Sequence, residues 1–205
     1  MRTLAIETAT QACSVALFAG EELLAARHEV LGRGHAELLV PLIAELPDRG
    51  KAERIFVSLG PGSFTGTRIG IAAAKALGLA WRAEVLGYPT LQLVALSAQQ
   101  QLGAEPVLVA MSGGHGEWLV QPFSAPGAPL GDHHSLSPAE AALFSGIEQV
   151  AGSVAQELVE RRDFGEALPI LPDARHAVHL ASTCLIEAIR PIYARAPDAK
   201  LPSNG

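Results

Sequence analysis

Aliphatic and β-branched runs open the chain. Thr3–Ile6, Cys13–Phe18 and Leu23–His28 read as three strands, with Ala19-Gly20-Glu21 as one of the turns, and such close spacing predicts an antiparallel meander. After Gly32-Arg33-Gly34 the period changes. Leu39, Leu42, Ile43 and Leu46 fall at i, i+3, i+4 and i+7, one face of a helix, with Pro41 inside it to kink it or remove one backbone bond. Ile55–Leu59 is a short buried strand, Thr67–Arg82 a second helix, Val85–Leu86 a strand and Leu91–Leu102 a third helix. From Gly103 the order restarts more weakly. Pro106–Met111 and Trp118–Phe123 are strands around Ser112-Gly113-Gly114, and Gly127–His134 reads as loop with room for a short third strand. A helix at Pro138–Phe144 is N-capped by Ser137. Strand-like Val150–Gly152, helical Val154–Arg162 and strand-like Leu168–Leu171 follow. Asp173 then caps a long helix reaching Ile189, and the tail from Pro191 is proline-rich and irregular. The order β-β-β-α-β-α thus occurs twice. It predicts an α/β protein of two facing lobes, residues 1–102 and 103–205, with a cleft between them.

Composition narrows the function classes. Of 205 residues, 49% are hydrophobic and 18% charged, which excludes a disordered chain. Fifteen basic against 21 acidic residues leave a net charge of −6, so unaided binding of nucleic acid is disfavoured. No stretch reaches the ~18 apolar residues of a membrane span, and the start lacks the apolar core of a signal peptide, so the expected location is the cytoplasm. Cys13 and Cys184 lie far apart and give neither a disulfide framework nor a zinc ribbon.

Chemistry concentrates in Gly60-Pro61-Gly62-Ser63-Phe64-Thr65-Gly66, between a strand and a helix. It is no Walker A loop, because Thr67-Arg68 follows Gly66, and it is neither GxGxxG nor GxSxG. Two readings fit: a tight strand-to-helix turn, or a cradle that offers helix N-terminal N–H groups to an anion. In the helix itself Gly66, Gly70, Ala74 and Gly78 recur every four residues and leave one face nearly bare. Another helix can approach such a face closely. Either the first helix of the same chain or a partner subunit fills that groove, and the two can coexist. Ile69, Ala73, Ala76, Leu77 and Ala80 are expected on the sheet, with Arg68, Lys75 and Arg82 as a third stripe. The first helix, with Leu38, Leu39, Val40, Leu42 and Ile43, is more apolar than one buried face requires, which points to a subunit interface.

Gly60-Pro61-Gly62-Ser63-Phe64-Thr65-Gly66-Thr67-Arg68-Ile69-Gly70 closely resembles the signature of the TsaB (YeaZ) family. Leu4–Thr8 with Ser14–Leu17, His35–Leu39 with Pro41–Ile43, Gly116-Glu117-Trp118 and Arg195–Lys200 resemble its other landmarks. The resemblance implies the two-lobed fold of actin, sugar kinases and heat-shock chaperones (the ASKHA fold). It implies a non-catalytic role in making tRNA N6-threonylcarbamoyladenosine, beside a catalytic TsaD-like subunit and a TsaE-like accessory ATPase. ATP and metal then belong to those partners, no cofactor is held tightly here, and tRNA is met only through the complex. The partner surface, and that of a possible homodimer, falls on the first-lobe helices: His35, Leu38, Leu39, Leu42, Gly66, Gly70, Ala74 and Gly78. Three residues or runs depart from the family pattern. Glu7 stands where aspartate is commoner, Thr67 replaces an apolar residue, and Ser112-Gly113-Gly114 replaces an Asp-Ala-Arg-like run.

The competing reading is an enzyme: an ATPase or small-molecule kinase of the same fold, or a metal-dependent glycopeptidase. A third is a self-associating structural protein. Phosphoryl transfer needs carboxylates on both hairpins to hold Mg²⁺, and only the first has one, Glu7. The seven histidines form neither HExxH nor HxxxH, and His176 and His179, three apart, have no third ligand. Ser63 has no histidine or acid at a recognisable spacing, and both cysteines read as small buried hydrophobes. Neither a catalytic residue nor a metal site is therefore assigned.

Overall fold

β1 (Arg2–Glu7), β2 (Ala12–Ala19) and β3 (Glu22–Val30) form the expected meander in the computed structural model, which describes residues 1–194. β4 (Arg54–Ser58) and β5 (Glu84–Tyr88) add in parallel on the other side of β1, giving the order β3-β2-β1-β4-β5. Parallel neighbours need crossovers. α1 (His35–Ala44) leads to β4, and α2 (Phe64–Trp81) joins β4 to β5. α3 (Thr90–Leu102) leads into the second half. There β6 (Val107–Ser112), β7 (Trp118–Phe123) and β8 (His134–Leu136) form a second meander. α4 (Pro138–Phe144), β9 (Gln149–Ala151), α5 (Ala155–Arg162) and β10 (Glu166–Leu168) complete it. Its order, β10-β9-β6-β7-β8, is the first sheet's plan repeated. The duplication read from the sequence is therefore real in topology, and the fold is the two-lobed α/β type.

Side-chain alternation explains how the first sheet is covered. Leu4, Ile6, Val15, Leu17, Ile55 and Val57 face α1 and α2, packing on Leu39, Leu42, Ile43 and Ile71. Ala5, Ala16, Phe18 and Phe56 face the opposite way, onto Tyr88, Leu93, Ala174, Ala177 and Leu180. A sheet covered on both faces reads as nearly continuous apolar strands, as β1 and β2 do. α3 is apolar round most of its circumference because it lies between the two sheets. Leu91, Val94, Ala95 and Ala98 meet the second sheet, and Leu93 meets the first.

Ser137 caps α4 as expected. Its hydroxyl accepts from the Glu140 N–H while the Glu140 carboxylate accepts from the Ser137 N–H, a reciprocal capping box. The long helix expected from Asp173 to Ile189 does not form. A short 3₁₀ turn, Ala174–His179, and another, Ser182–Cys184, carry the chain back across the first sheet. Ile186 pairs with Gly87 through two 2.8 Å backbone bonds, and the Ile192 N–H donates to the Leu59 carbonyl at 2.7 Å. The apolar residues whose spacing resembled a helical stripe are instead laid along the open edge of β5, where backbone pairing covers an otherwise unsatisfied strand edge. The motif Arg195–Lys200 lies outside the described residues. Among the described residues no helix is long and apolar enough to cross a membrane.

Candidate functional site

The glycine loop is clamped onto the turn that follows β1. The Ser63 N–H donates to the Ala9 carbonyl at 2.6 Å, and the Thr8 hydroxyl donates to the Gly66 carbonyl at 2.8 Å. A Cβ on Gly62 would lie 2.1 Å from the Ala9 oxygen, and one on Gly66 2.1 Å from the Thr8 oxygen. These glycines permit two backbones to touch. Ser63 caps α2, its Oγ accepting from the Gly66 N–H at 3.1 Å. Pro61 is buried, and the Gly60 carbonyl accepts from the Thr90 N–H at 2.8 Å. The groups packed against the loop are thus the Ala9 and Thr8 carbonyl oxygens, acceptors, where an anion cradle needs donors. Of the two readings, the geometry supports the turn.

The small-residue face of α2 points inward. A Cβ on Gly70 would meet the Thr8 hydroxyl at 2.3 Å and one on Gly78 would meet Val85 at 2.4 Å, while Ala74 is fully buried. Gly66, Gly70, Ala74 and Gly78 therefore seat the helix tightly on its own sheet, and the expectation that they form an open groove for a partner is corrected. So is the sheet-facing set: Ala76 and Ala80 are exposed, and Ile69, Ala73 and Leu77 are half-buried beside α1. On α1, His35, Leu39 and Leu42 are buried too, and Leu38 is half-buried. His35 Nε2 lies 3.2 Å from the Ala12 carbonyl, which ties the start of α1 to β2.

What the helices leave outside is a different strip. On α1 it comprises Val40, 59% exposed, and Pro41; on α2 it comprises Ala72, Ala76, Ala80 and Leu79, which is 85% exposed. The charges are segregated. α1 carries Glu37 and no lysine or arginine, whereas α2 carries Arg68 and Lys75 and no acid. Arg68 is held at the first turn of α2. Its guanidinium lies 3.6 Å from the centre of the Phe64 ring and donates to the Tyr193 hydroxyl at 2.9 Å. Sequence reasoning missed Tyr193, which is 125 positions away and carries no local motif.

Between the lobes lies a cleft of about 400 Å³, bordered by Thr10, Gln11, Ser63, Phe64, Ser112 and Ser153 among others. None of its described lining residues is acidic. Glu7, the one hairpin carboxylate, is fully buried, with Oε1 accepting from the Ala9 N–H at 2.7 Å and the Ser58 and Tyr88 hydroxyls beside the carboxyl. Burial outweighs the nearby N–H and hydroxyl donors and raises its pKa from 4.5 to about 7. Burial likewise raises the Cys13 thiol to about 11, which leaves it inert as a nucleophile. Burial lowers the pKa of His176, whose Nδ1 lies 2.6 Å from Gln100 Oε1. Among the described residues no cluster of three or more His, Cys, Asp or Glu is placed to hold a metal ion.

A second polar cluster anchors the returning segment. The Ser14 hydroxyl accepts from the Ala174 N–H at 3.1 Å, and Asp173 receives the backbone and guanidinium N–H groups of Arg175. His28 Nδ1 lies 3.3 Å from Asp173 Oδ2. Burial alone would raise the Asp173 pKa, but Arg175 and His28 outweigh it and hold it below the usual carboxylate value. Asp173→Ala is expected to cost about 2 kcal/mol by leaving partly buried donors without their acceptor. A thermal melt checks the loss, and proteolysis should cut first between residues 174 and 192.

Comparisons with known proteins agree with this fold. A family model, "TsaD: tRNA N6-adenosine threonylcarbamoyltransferase", matches residues 27–161. The Escherichia coli K12 tRNA threonylcarbamoyladenosine biosynthesis protein TsaB is 37% identical over 122 residues, 57% of this chain and 52% of its own length. The protein Rv3421c of Mycobacterium tuberculosis H37Rv is 30% identical over 223 residues, covering 96% of this chain and 93% of its own. The solved structure of YeaZ from Pseudomonas aeruginosa superposes with a TM-score of 0.78 at 28% identity, over 94% of this chain and 99% of its own. The chain spans about half the length of the curated TsaB relatives it matches. The topology defines a two-lobed protein of the actin, sugar-kinase and chaperone (ASKHA) class, built on two copies of one five-stranded sheet. Within that class, the chain belongs to the TsaB/YeaZ family.

Proposed function

We propose that this chain is a non-catalytic partner subunit in tRNA N6-threonylcarbamoyladenosine synthesis, one that stabilises and orients a TsaD-like catalytic subunit and works beside a TsaE-like ATPase. ATP and metal are then handled by those partners, and tRNA is reached through the complex. The observation that carries the reading is the strip on α1 and α2: Leu79 and Val40 face solvent amid small residues, with an acidic helix beside a basic one. Apolar side chains grouped on one face suit a packed protein interface, and segregated charge fixes its register. A cleft bordered by described residues that include no acid supports the same reading, since phosphoryl transfer there would have no carboxylate to position a metal. A homodimer through the same strip is compatible with it.

Reconstitution tests the role. tRNA modification by TsaD-like and TsaE-like proteins should require this chain, and normal modification in its absence overturns the proposal. Turnover of ATP by the isolated chain would favour the kinase-like alternative instead. Leu79→Asp tests the surface. It should weaken association with the TsaD-like subunit at least about tenfold while leaving the isolated chain's melting temperature unchanged, because Leu79 supports no packing of its own fold.

A further inference from the structure

We propose that the outer edge of β3 is a self-association surface, on which a second copy of this chain adds its own β3 antiparallel. The inference goes beyond the partner reading and uses a surface other than the strip on α1 and α2. Two five-stranded sheets have four outer edges, and three of them are protected. β8 and β10 end the second sheet and are three residues each, too short to template another strand. β5 is occupied at Gly87 by the backbone of Ile186. β3 is nine residues long, contains no lysine, proline or glycine, and among the described residues pairs with β2 alone. Leu23, Leu24 and Val30 are exposed along it, Val30 by 59%. An edge of this length offers unpaired N–H and C=O groups to a further strand, and its exposed apolar side chains favour covering it.

The edge is complementary to itself, which selects a second copy and fixes the register. Leu24 is an extra residue between the Leu17–Ala25 and Phe18–Leu23 pairs. That bulge interrupts the edge and leaves Ala25–Val30 regular. With the two-fold axis at His28, antiparallel pairing sets Arg27 opposite Glu29 of the second copy and Ala26 opposite its Val30, each pair occurring twice. Opposite charges and a small residue against a β-branched one are favourable cross-strand neighbours. Neighbouring registers lose this match. An axis at Arg27 sets the two arginines face to face, and one between Arg27 and His28 sets Glu29 opposite Ala26. An axis at Ala26 sets Glu29 opposite Leu23 and draws the bulge into the ladder. Glu29 is exposed and joins none of the described ion pairs. Arg27 holds Glu45 at 2.8 Å, but both side chains are about half exposed. Such a pair contributes little, so Arg27 can exchange Glu45 for Glu29 of the second copy. At the axis each His28 lies beside its own Asp173, which offsets positive charge there.

Sedimentation of the full chain over a range of concentrations tests this. The wild type should dimerise. Arg27→Glu, which sets like charges opposite one another twice, should weaken the dimer at least about tenfold. The charge swap Arg27→Glu with Glu29→Arg should restore it to within about twofold, because each new pair is again of opposite sign. Cross-linking reads the register directly. Residues opposite one another across an antiparallel pair have Cα atoms about 4.5–5.5 Å apart, within disulfide reach. His28→Cys, in a Cys184→Ser background where the remaining Cys13 is buried, should therefore form a covalent dimer under a mild oxidant. Leu23→Cys, on the same edge but without a mate in this register, should not. A chain that stays monomeric at every concentration overturns the proposal, as does equal cross-linking at both positions. A dimer that survives Arg27→Glu but is lost in Leu79→Asp also overturns it, because the helical strip would then be the contact. Should Arg27→Glu not fold, the cross-link decides, and should His28→Cys not fold, the charge swap decides. Reconstitution and the Leu79→Asp binding test read the partner role without touching β3, so either reading can fail while the other stands.

Discussion

Gly66→Ala is expected to cost the fold about 3 kcal/mol, the upper end of overpacking penalties, and to lower the melting temperature by about 10 °C. Two effects oppose one another at this position, and their sizes decide the sign. Alanine is the better helix former by about 1 kcal/mol, so local propensity alone predicts a stabilised helix. Against it, the new methyl group would lie 2.1 Å from the Thr8 carbonyl oxygen. That neighbour is backbone in a fully buried turn, so it cannot rotate away as a flexible side chain would. Either α2 lifts from the sheet, exposing Ile71 and Ala74, or the Thr8-Ala9 turn moves and breaks the Ser63 bond. Lys75→Ala is the control, since Lys75 is exposed on the far side of the same helix and should change the melt little. Equal melting temperatures for Gly66→Ala and the wild type would show that the seat is softer than its geometry.

Acidification from pH 8 to pH 5 should stabilise the protein, by roughly 3 kcal/mol in total if Glu7 acts alone. Folded Glu7 holds its proton up to about pH 7, whereas the unfolded chain releases it near 4.5. Between those values the native state binds the extra proton. The stabilisation is therefore complete below pH 4.5 and lost as pH rises through 7. Asp173 works in the opposite direction at lower pH. Its folded pKa is depressed, so its contribution is present above the unfolded value and disappears as pH falls through the folded one. Together they place maximal stability on the mildly acidic side of neutrality. Urea unfolding at several pH values measures the profile. Glu7→Gln, which keeps the shape without the ionisation, should flatten its neutral limb, and an unchanged slope in that variant removes Glu7 as the cause.

The reading of α2 shows where one-dimensional pattern stops. The four-residue spacing of Gly66, Gly70, Ala74 and Gly78 correctly marked a face made for close approach. It did not say what approaches. A face without side chains is equally suited to a second helix and to the helix's own sheet, and hydrophobic pattern assigns bulky residues to the core by default. Here the sheet took the bare face, and Leu79 and Ala76 were left outside. The C-terminal segment misled for a related reason. Ala177, Leu180, Leu185 and Ile189 are spaced like a helix, yet an unpaired edge at Gly87 captured the backbone. The Asp173, Ser14 and His28 cluster and the Arg68–Tyr193 pair join residues more than 100 positions apart, beyond any local signal.

Local patterning by itself settled the strands of the first sheet, the Ser137 cap, the doubled β-β-β-α-β-α order and the family signature at residues 60–70, because each depends on neighbours within a few turns of chain, whereas the short outer strands of the second sheet fell at Glu166–Leu168 and His134–Leu136, displaced from the expected runs. Tertiary structure alone decided which side of α2 meets solvent, where the last described stretch runs, and that Glu7 is fully buried with its carboxyl holding the Ala9 N–H. Those outcomes turn on competition between distant surfaces for the same backbone and the same buried space, and a sequence pattern records the competitors without recording the winner.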